Sequence, residues 1–189
     1  MATVRLKITL RGVRPPVWRR LVVPSSVTLA ELHSVFQTAM GWTDSHLHSF
    51  DIGGVLYGDV EDFDGRVGNE NRTRLSSVAR SVSKFRYEYD FGDGWEHDVL
   101  VEQAQSDASV LAPFCLAGRR ACPPEDCGGP GGYEHLLEVL ADPAHEDHAE
   151  MAEWAGLFDP ARFDLDETND VLRMLDHSAA GRPGGRGIS

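Results

Sequence analysis

Histidines and carboxylates recur in two short segments near the middle of the chain. The segment HLHSFDI holds His46 and His48, and the segment YDFGDGWEH holds Asp90, Asp93 and His97. An H-x-H pair on a strand directs both imidazoles to one face, where a single metal ion can bridge them. A carboxylate and a further histidine would complete a transition-metal site. The alternative, which we favour from sequence alone, is that these side chains pack and form hydrogen bonds inside the protein.

All three cysteines lie in one stretch, FCLAGRRACPPEDCGGPGGYEH. Cys115, Cys122 and Cys127 have the spacing C-x6-C-x4-C, and His135 follows eight residues later. These side chains are four candidate ligands for a tetrahedral metal ion, but the C-x2-C pair typical of structural zinc sites is absent from the sequence. The interpretation that we favour is a set of reduced, structural thiols.

The same stretch carries the adjacent pair Glu125 and Asp126, between a Pro-Pro and a glycine run. Proline favours an extended backbone, and glycine permits positive φ. The run GGPGG is not a phosphate loop, because no Gly-Lys-Ser/Thr follows it, although amides at the next helix start could bind an anion. We therefore expect a rigid crossover that delivers both carboxylates to a fixed position.

These segments would form one groove only if the fold brings them together. In that case His48, Asp93, His97 and one of Glu125 or Asp126 should surround a common cavity. The candidates for ligand binding are His48, Asp90, Asp93, Trp95, His97, Glu125 and Asp126. The candidates for metal binding are His46, His48, His97, Cys115, Cys122 and Cys127, with zinc or another divalent transition metal as the ion.

Alternation of apolar and polar residues predicts the strands that position these groups. Residues 4–10 and 17–23 predict a first hairpin, residues 48–52 a third strand, and residues 84–102 a second hairpin that turns at Gly92-Asp93-Gly94. A T-x-x-E capping box at Thr28 precedes an apolar stripe that predicts a helix over residues 29–40.

The second half of the chain predicts helices. One covers residues 133–140, one begins at Asp142-Pro143, and one is capped by Asp164. The order strand, strand, helix, strand, hairpin, helices indicates an α+β fold. We expect an α/β roll, in which a mostly antiparallel sheet (β-β-α-β-β-β) packs against one main helix and the C-terminal part is helical.

The length of 189 residues favours a single domain, expected over residues 1–177. The sheet and main helix would occupy residues 1–105, and the crossover and helices residues 106–177. A Gly- and Arg-rich tail over residues 178–189 is expected to be disordered. Residues 59–71 are acidic, but their spacing does not match a calcium-binding loop, so we expect a surface loop there.

The composition opposes binding of duplex DNA. The net charge is -12, with 30 acidic residues against 18 lysines and arginines, and nucleic-acid binding depends on neutralising phosphates. Basic residues concentrate near the N-terminus, where we expect a solvated strand face: Arg5, Lys7, Arg11, Arg14, Arg19 and Arg20. No signal peptide or membrane span is evident in the sequence, so we expect a cytoplasmic protein without a membrane partner.

Four long motifs occur in a characteristic order. They are RPPVWRRLVVP, TLAELHSVFQTAMGWTDSHLHSFDIGG, YEYDFGDGWEHDVLVE and CPPEDCGGPGGYEHLLEVL. Over residues 4–176 the chain thereby resembles the plasmid pRiA4b Orf-3-like family, some of whose members are labelled insertion-element passengers or TnpR-type resolvases. The resemblance implies an MM3350-like α/β roll and an association with mobile elements, with no established activity. The chain lacks the arginine-flanked serine and basic segment of a serine recombinase.

Two classes of function agree with these observations. The one we favour is a non-enzymatic binding or accessory module, whose groove between the second hairpin and the PPED crossover takes a protein or small-molecule ligand. The alternative is a metal-assisted hydrolase, in which Asp90, Asp93, Glu125 and Asp126 converge with the histidines to hold an ion and activate water. A resolvase-like accessory role in DNA recombination comes third, and no catalytic residue is assigned.

Overall fold

The structure is a computed structural model that describes residues 2–105 and 111–179. Its strands are β1 (Thr3–Leu10), β2 (Trp18–Pro24), β3 (His48–Ile52), β4 (Val55–Gly58), β5 (Gly68–Asn69), β6 (Lys84–Tyr89), β7 (Trp95–Gln105) and β8 (Phe114–Arg119). Its helices are α1 (Leu29–Met40), α2 (Leu75–Ser81), α3 (Gly129–Ala141), α4 (His148–Ala155) and α5 (Leu165–Ala179).

The strands form one sheet in the order β5-β4-β3-β6-β7-β1-β2-β8. All neighbouring pairs are antiparallel except β4 and β5, which run parallel. The predicted α+β class with a mostly antiparallel sheet is confirmed. The sheet is larger than predicted, because β4, β5 and β8 extend it at its two ends.

Helix α1 begins and ends as the sequence predicts. The Thr28 hydroxyl accepts a hydrogen bond from the Glu31 amide at 3.2 Å, and the Glu31 carboxylate accepts one from the Thr28 amide at 2.7 Å. Gly41 ends the helix with a φ of 94°, which glycine adopts without steric cost. These caps fix the point at which the chain leaves α1 toward residues 46–48, the sequence His-Leu-His, which we call the HLH segment.

Aromatic residues dominate the core between α1 and the second hairpin. Phe85, Tyr87 and Tyr89 alternate along β6 and are all buried. The ring centre of Phe36, on α1, lies 5.2 Å from that of Tyr87 and 6.4 Å from that of Phe50 on β3. Because each buried aromatic side chain removes about 150–250 Å² from water, these contacts hold α1 firmly on the sheet.

Some local predictions are wrong. No helix begins at Asp142-Pro143, because the Asp142 carboxylate accepts a hydrogen bond from the Ala144 amide in a turn, and α4 begins only at His148. Helix α3 begins at Gly129, four residues earlier than predicted, with Pro130 in its first turn. Helix α2 was not predicted at all, since its seven residues are too few to show a clear period.

The C-terminal helix α5 packs against α1 and β8. Its predicted cap is present, since the Asp164 carboxylate accepts a hydrogen bond from the Glu167 amide at 3.0 Å. The Asn169 side chain accepts from the Cys115 amide at 2.7 Å and donates to the Cys115 carbonyl at 3.0 Å. The helix continues to Ala179, two residues into the predicted tail, and residues 180–189 of that tail lie outside the described residues.

Over residues 2–105 and 111–179, no helix is long and apolar enough to cross a membrane. The extent of the domain, residues 1–177, stays a prediction. Of the N-terminal basic residues, Arg11 and Arg20 form ion pairs with Glu96 and Glu102, and Arg19 is buried. These three arginines therefore do not contribute free positive charge to a DNA-binding face.

In the first turn of α3, Gly132 has no room for a side chain, whereas the preceding Gly131 tolerates alanine. A Cβ atom at Gly132 would overlap the carbonyl of Cys127, whereas a Cβ atom at Gly131 would meet nothing within 4 Å. We predict that Gly132→Ala lowers the free energy of unfolding by about 1–3 kcal/mol through overpacking. Gly131→Ala should raise it by up to about 1 kcal/mol, because alanine has the higher helix propensity. Urea unfolding of both variants tests this, and equal stability would contradict the packing argument.

Candidate functional site

The PPED crossover is fastened to the loop that follows α1. The Trp42 indole N–H donates to the Pro123 carbonyl at 3.0 Å. Glu125 Oε1 accepts from the Tyr89 hydroxyl at 2.5 Å and from the Thr43 amide at 3.3 Å. The Thr43 hydroxyl donates to the other oxygen, Oε2. Both oxygens of Glu125 are therefore engaged, and this carboxylate acts as an anchor for the crossover.

The electrostatics of Glu125 agree with this role. Burial raises the pKa of Glu125, but the hydrogen bonds from Thr43 and Tyr89 outweigh burial and leave the pKa below its usual value. Burial and the hydrogen bond to Glu125 both raise the pKa of the Tyr89 phenol. Near neutral pH the glutamate is therefore the acceptor and the tyrosine the donor.

His46, Asp90 and Asp126 come together beside this anchor. His46 Nε2 lies 3.2 Å from an Asp126 oxygen and 3.6 Å from an Asp90 oxygen. One ligand atom from each residue lies within 4.8 Å of the other two, and no other such group of three occurs in the described part of the chain. The Nε2 atom is shielded from solvent and forms no hydrogen bond with either carboxylate. We call these three residues the HDD cluster.

The turn of the second hairpin orients Asp90. Its Oδ1 accepts hydrogen bonds from the amides of Gly92 at 2.9 Å and Asp93 at 3.3 Å. Its own amide donates to the Leu47 carbonyl at 2.9 Å, which ties the hairpin to the HLH segment. With Oδ1 engaged in the turn, Oδ2 is the oxygen that faces His46.

Both aspartates of the HDD cluster have left-handed backbone conformations. The φ angle is 57° at Asp90 and 58° at Asp126. Such angles are uncommon outside glycine, although aspartate tolerates them better than most residues, and they are concentrated at functional sites. Asp126 is also largely exposed, with 75% of its side chain accessible, so solvent reaches the cluster from this side.

Asp93 has a structural role instead of facing the cluster. Its Oδ2 accepts a hydrogen bond from the Gly128 amide at 3.2 Å, and a Cβ atom at Gly129 would overlap its carbonyl. The glycine run thus lets the hairpin turn lie against the start of α3. The Gly128 amide, which an anion at this end of the crossover could have used, is bound by a carboxylate of the protein itself.

His48 belongs to a separate polar network under α1. Its Nε2 lies 2.8 Å from a Glu70 oxygen, and its ring stacks on that of His33 with centres 3.5 Å apart. His33 in turn contacts Asp44 at 2.6 Å and the Tyr87 hydroxyl at 2.8 Å. The expectation of a surface loop over residues 59–71 is wrong at the end of this segment, because Gly68–Asn69 form β5 and the Glu70 carboxylate is buried against His48.

Trp95 and His97 lie in the core. Trp95 packs near Trp42, with ring centres 6.0 Å apart, and His97 contacts the same indole edge-on. His97 Nδ1 lies 3.3 Å from the Tyr87 carbonyl, and burial lowers the pKa of His97 to about 4. The prediction that His48, Asp93 and His97 surround one cavity with the crossover is therefore wrong, although the three segments themselves do meet.

The cysteines are not grouped as ligands of one metal ion in the structure. No three of Cys115, Cys122, Cys127 and His135 lie within ligand distance of one another. Burial raises the pKa of all three thiols, that of Cys127 to about 12, so they are uncharged near neutral pH. The interpretation as reduced, structural thiols agrees with this arrangement.

Several residues of the site did not emerge from the sequence. Thr43 and Asp44 are polar residues two and three positions after the helix-ending Gly41, in a loop of the kind in which such side chains often bind main-chain groups. Tyr89 has a place in the alternation along β6, but alternation gives no information about the partner of its hydroxyl. Glu70 gave no signal, because its partner His48 lies on a strand that only the fold brings near.

Known proteins are similar to this chain in sequence and in fold. A family model described as plasmid pRiA4b ORF-3-like protein matches residues 2–167. The uncharacterized protein y4hQ of Sinorhizobium fredii (strain NBRC 101917 / NGR234) is 48% identical over 179 residues, which cover 92% of this chain and 92% of that protein. The crystal structure of MM3350, a protein of unknown function from Methanosarcina mazei Go1, is similar with a TM-score of 0.80 and 37% identity, over 88% of this chain and 97% of that one.

The buried neutral histidine His97 predicts a loss of stability in mild acid. Its folded pKa of about 4 lies below the ordinary value of 6.5, so between these values the unfolded chain binds a proton that the folded chain does not. Stability should therefore fall as the pH drops from about 6.5 to about 4. Urea unfolding at about pH 7.5 and about pH 5 should show a smaller difference for His97→Leu than for the unsubstituted protein. The control His145→Leu, at a partly exposed site, should keep the full difference, and an unchanged difference in His97→Leu would refute the assignment.

Proposed function

The chain belongs to the plasmid pRiA4b ORF-3-like protein family, and from that premise we propose that it is a cytoplasmic binding or accessory module built around a divalent metal centre. His46, Asp90 and Asp126 are the proposed ligands. The observation that carries the proposal is the position of His46 Nε2, shielded from solvent between two carboxylate oxygens with no hydrogen bond to either.

The distances fit a small cation. Zinc binds imidazole nitrogen and carboxylate oxygen at about 2.0–2.2 Å, so two ligand atoms at a tetrahedral angle lie about 3.4 Å apart. The two separations from His46 Nε2, 3.2 Å and 3.6 Å, lie on either side of this value. A shielded nitrogen without a partner is unfavourable, and an ion between the three groups would satisfy it.

The charges fit as well. Two aspartates and a neutral imidazole carry about two negative charges, which a divalent ion would balance. Nitrogen and oxygen ligands suit zinc, manganese or iron(II) better than the soft ion copper(I). The supports of the cluster come from separate parts of the chain: the Gly92 and Asp93 amides orient Asp90, and the anchor at Glu125 fixes its neighbour Asp126.

Zinc titration of protein without a polyhistidine tag tests this proposal. We expect calorimetry to show that the unsubstituted protein binds one zinc ion per chain. Zinc should displace any protons that the ligands carry before binding. His46→Ala and Asp126→Asn should weaken binding at least as much as the 10–100-fold typical for loss of an outer-shell partner. The control His145→Ala removes a histidine of similar exposure, outside the cluster, and should bind as the unsubstituted protein does. Equal binding by His46→Ala and His145→Ala would refute the metal centre.

The exposure of Asp126 favours a second candidate function, metal-assisted hydrolysis. Catalytic zinc sites combine three protein ligands with one open position, and the HDD cluster offers three ligands with a solvent-facing side. An ion there would lower the pKa of a bound water toward about 7 and make it a nucleophile. Glu125 is already engaged on both oxygens, so we assign it no part in proton transfer.

Model substrates decide between the two functions. If the centre activates water, zinc-loaded protein should release nitrophenol from p-nitrophenyl acetate or bis(p-nitrophenyl) phosphate, and Asp126→Asn should abolish the release. His145→Ala serves as the control with an intact cluster. Release that persists in Asp126→Asn would place the activity at another site. If zinc-loaded protein releases no more nitrophenol than zinc in buffer does, only the binding role remains.

A further inference from the structure

A cavity of 520 Å³ lies apart from the HDD cluster, between the end of α1, the segment after β8 and the loop from α4 to α5. This volume is typical of small-molecule sites. More than half of the residues in the wall are apolar, among them Met40, Trp42, Leu157, Phe158, Phe163 and Val171. The wall also contains the guanidinium-bearing side chain of Arg19.

Arg19 is a buried cation without a counter-ion. Only 3% of the residue is exposed, and no carboxylate in the described part of the chain forms an ion pair with it. Its Nε donates to the Ala39 carbonyl at 2.8 Å, and its Nη1 donates to the Trp18 and Arg119 carbonyls at 2.9 and 3.2 Å. Its guanidinium carbon lies 4.4 Å from the centre of the Phe163 ring.

These contacts hold the side chain but do not neutralise it. Main-chain carbonyls accept from Nε and Nη1, whereas Nη2 has no acceptor among the residues that the structure describes. A buried charge is costly unless an opposite charge lies nearby, and the carbonyl of Ala39 near the end of α1 offers only a partial one. With Nε and Nη1 engaged, the two N–H groups of Nη2 are the donors that remain for an anion.

Three carboxylates in the wall limit which anion can enter. Asp159 accepts from the Ala161 amide, Asp164 from the Glu167 amide, and Glu167 pairs with Arg162. All three are exposed, in contrast to Arg19, so they lie toward solvent and the cation lies at the inner end. A ligand with negative charge at its outer end would be repelled by them.

We propose that this cavity binds an organic monocarboxylate with an apolar body. The carboxylate would pair with Arg19 through the Nη2 edge, and the apolar part would fill the space lined by Trp42, Phe158 and Val171. Gly118 contributes by its lack of a side chain, since a Cβ atom there would lie 2.8 Å from Arg19 Cδ and 2.5 Å from the Phe163 ring. The site is independent of the proposed metal centre.

Three six-carbon probes of matched size and inorganic phosphate test the ligand class by calorimetry at physiological salt. Hexanoate should bind saturably, and hexanol, hexylammonium and inorganic phosphate should bind at least about tenfold more weakly, since a charge-assisted hydrogen bond is lost or the charge is wrong. Hexanol binding as tightly as hexanoate would mean an apolar cavity only. Tighter hexylammonium or phosphate binding, or no saturable hexanoate binding up to about 10 mM, would each overturn the proposal.

Three variants locate the site. Arg19→Met should weaken hexanoate binding at least about tenfold, whereas Arg20→Met, on the other face of β2 and paired with Glu102, should not change it. Val171→Trp fills the cavity from the partly exposed face of α5 and should also abolish binding. If circular dichroism shows that Arg19→Met does not fold, Val171→Trp and the probe series decide. Unchanged hexanoate binding in Arg19→Met or Val171→Trp would overturn the assignment.

Discussion

The contact between the turn of the second hairpin and the start of α3 is the constraint on which the candidate site depends. Asp93 accepts a hydrogen bond from Gly128, and Gly129 has no side chain that would hold the turn away. Asp90 precedes Asp93 by three residues and Asp126 precedes Gly128 by two, so this contact sets the distance between the two carboxylates that face His46. Because metal–ligand distances vary by only a few tenths of an ångström, such a cluster needs a contact of this rigidity.

Two polar networks position the other parts of the candidate site. Glu125 joins the crossover to β6 and to the loop after α1, and the stacked pair His33 and His48 fixes that loop and β3 beneath the helix. Each group in the second network has a partner: Glu70 for His48, and Asp44 for His33. Buried networks that are fully paired rigidify their surroundings, whereas incomplete ones are costly. His46, between Asp44 and His48 in the chain, is therefore held on both sides.

Periodicity predicted the parts of the fold that bury one regular face. Helix α1 and strand β3 have the predicted bounds, because their apolar residues follow periods of 3.6 and 2 without interruption. Strands β4 and β5 escaped prediction because they have only four and two residues. Strand β8 escaped it because its residues FCLAGR do not alternate and include Gly118 in place of a β-former. For the site, His46, Asp90 and Asp126 were all candidates, but the metal-assisted alternative placed them in a larger group that also included Asp93, Glu125 and the other histidines. Left-handed angles at the two aspartates redirect their side chains, and alternation along a strand carries no information about such turns.

The hydrogen bonds between Asn169 and Cys115 have a consequence for association with other molecules. Strand β8 lies at one edge of the sheet. An edge strand without a partner is a template for pairing with a strand from another chain. At Cys115 the carboxamide of Asn169 occupies both the amide and the carbonyl, much as a neighbouring strand would. The strand at the opposite edge, β5, has only two residues. Both edges of the sheet therefore resist the addition of a strand from another chain. A protein partner would have to recognise loops and side chains instead of extending the sheet.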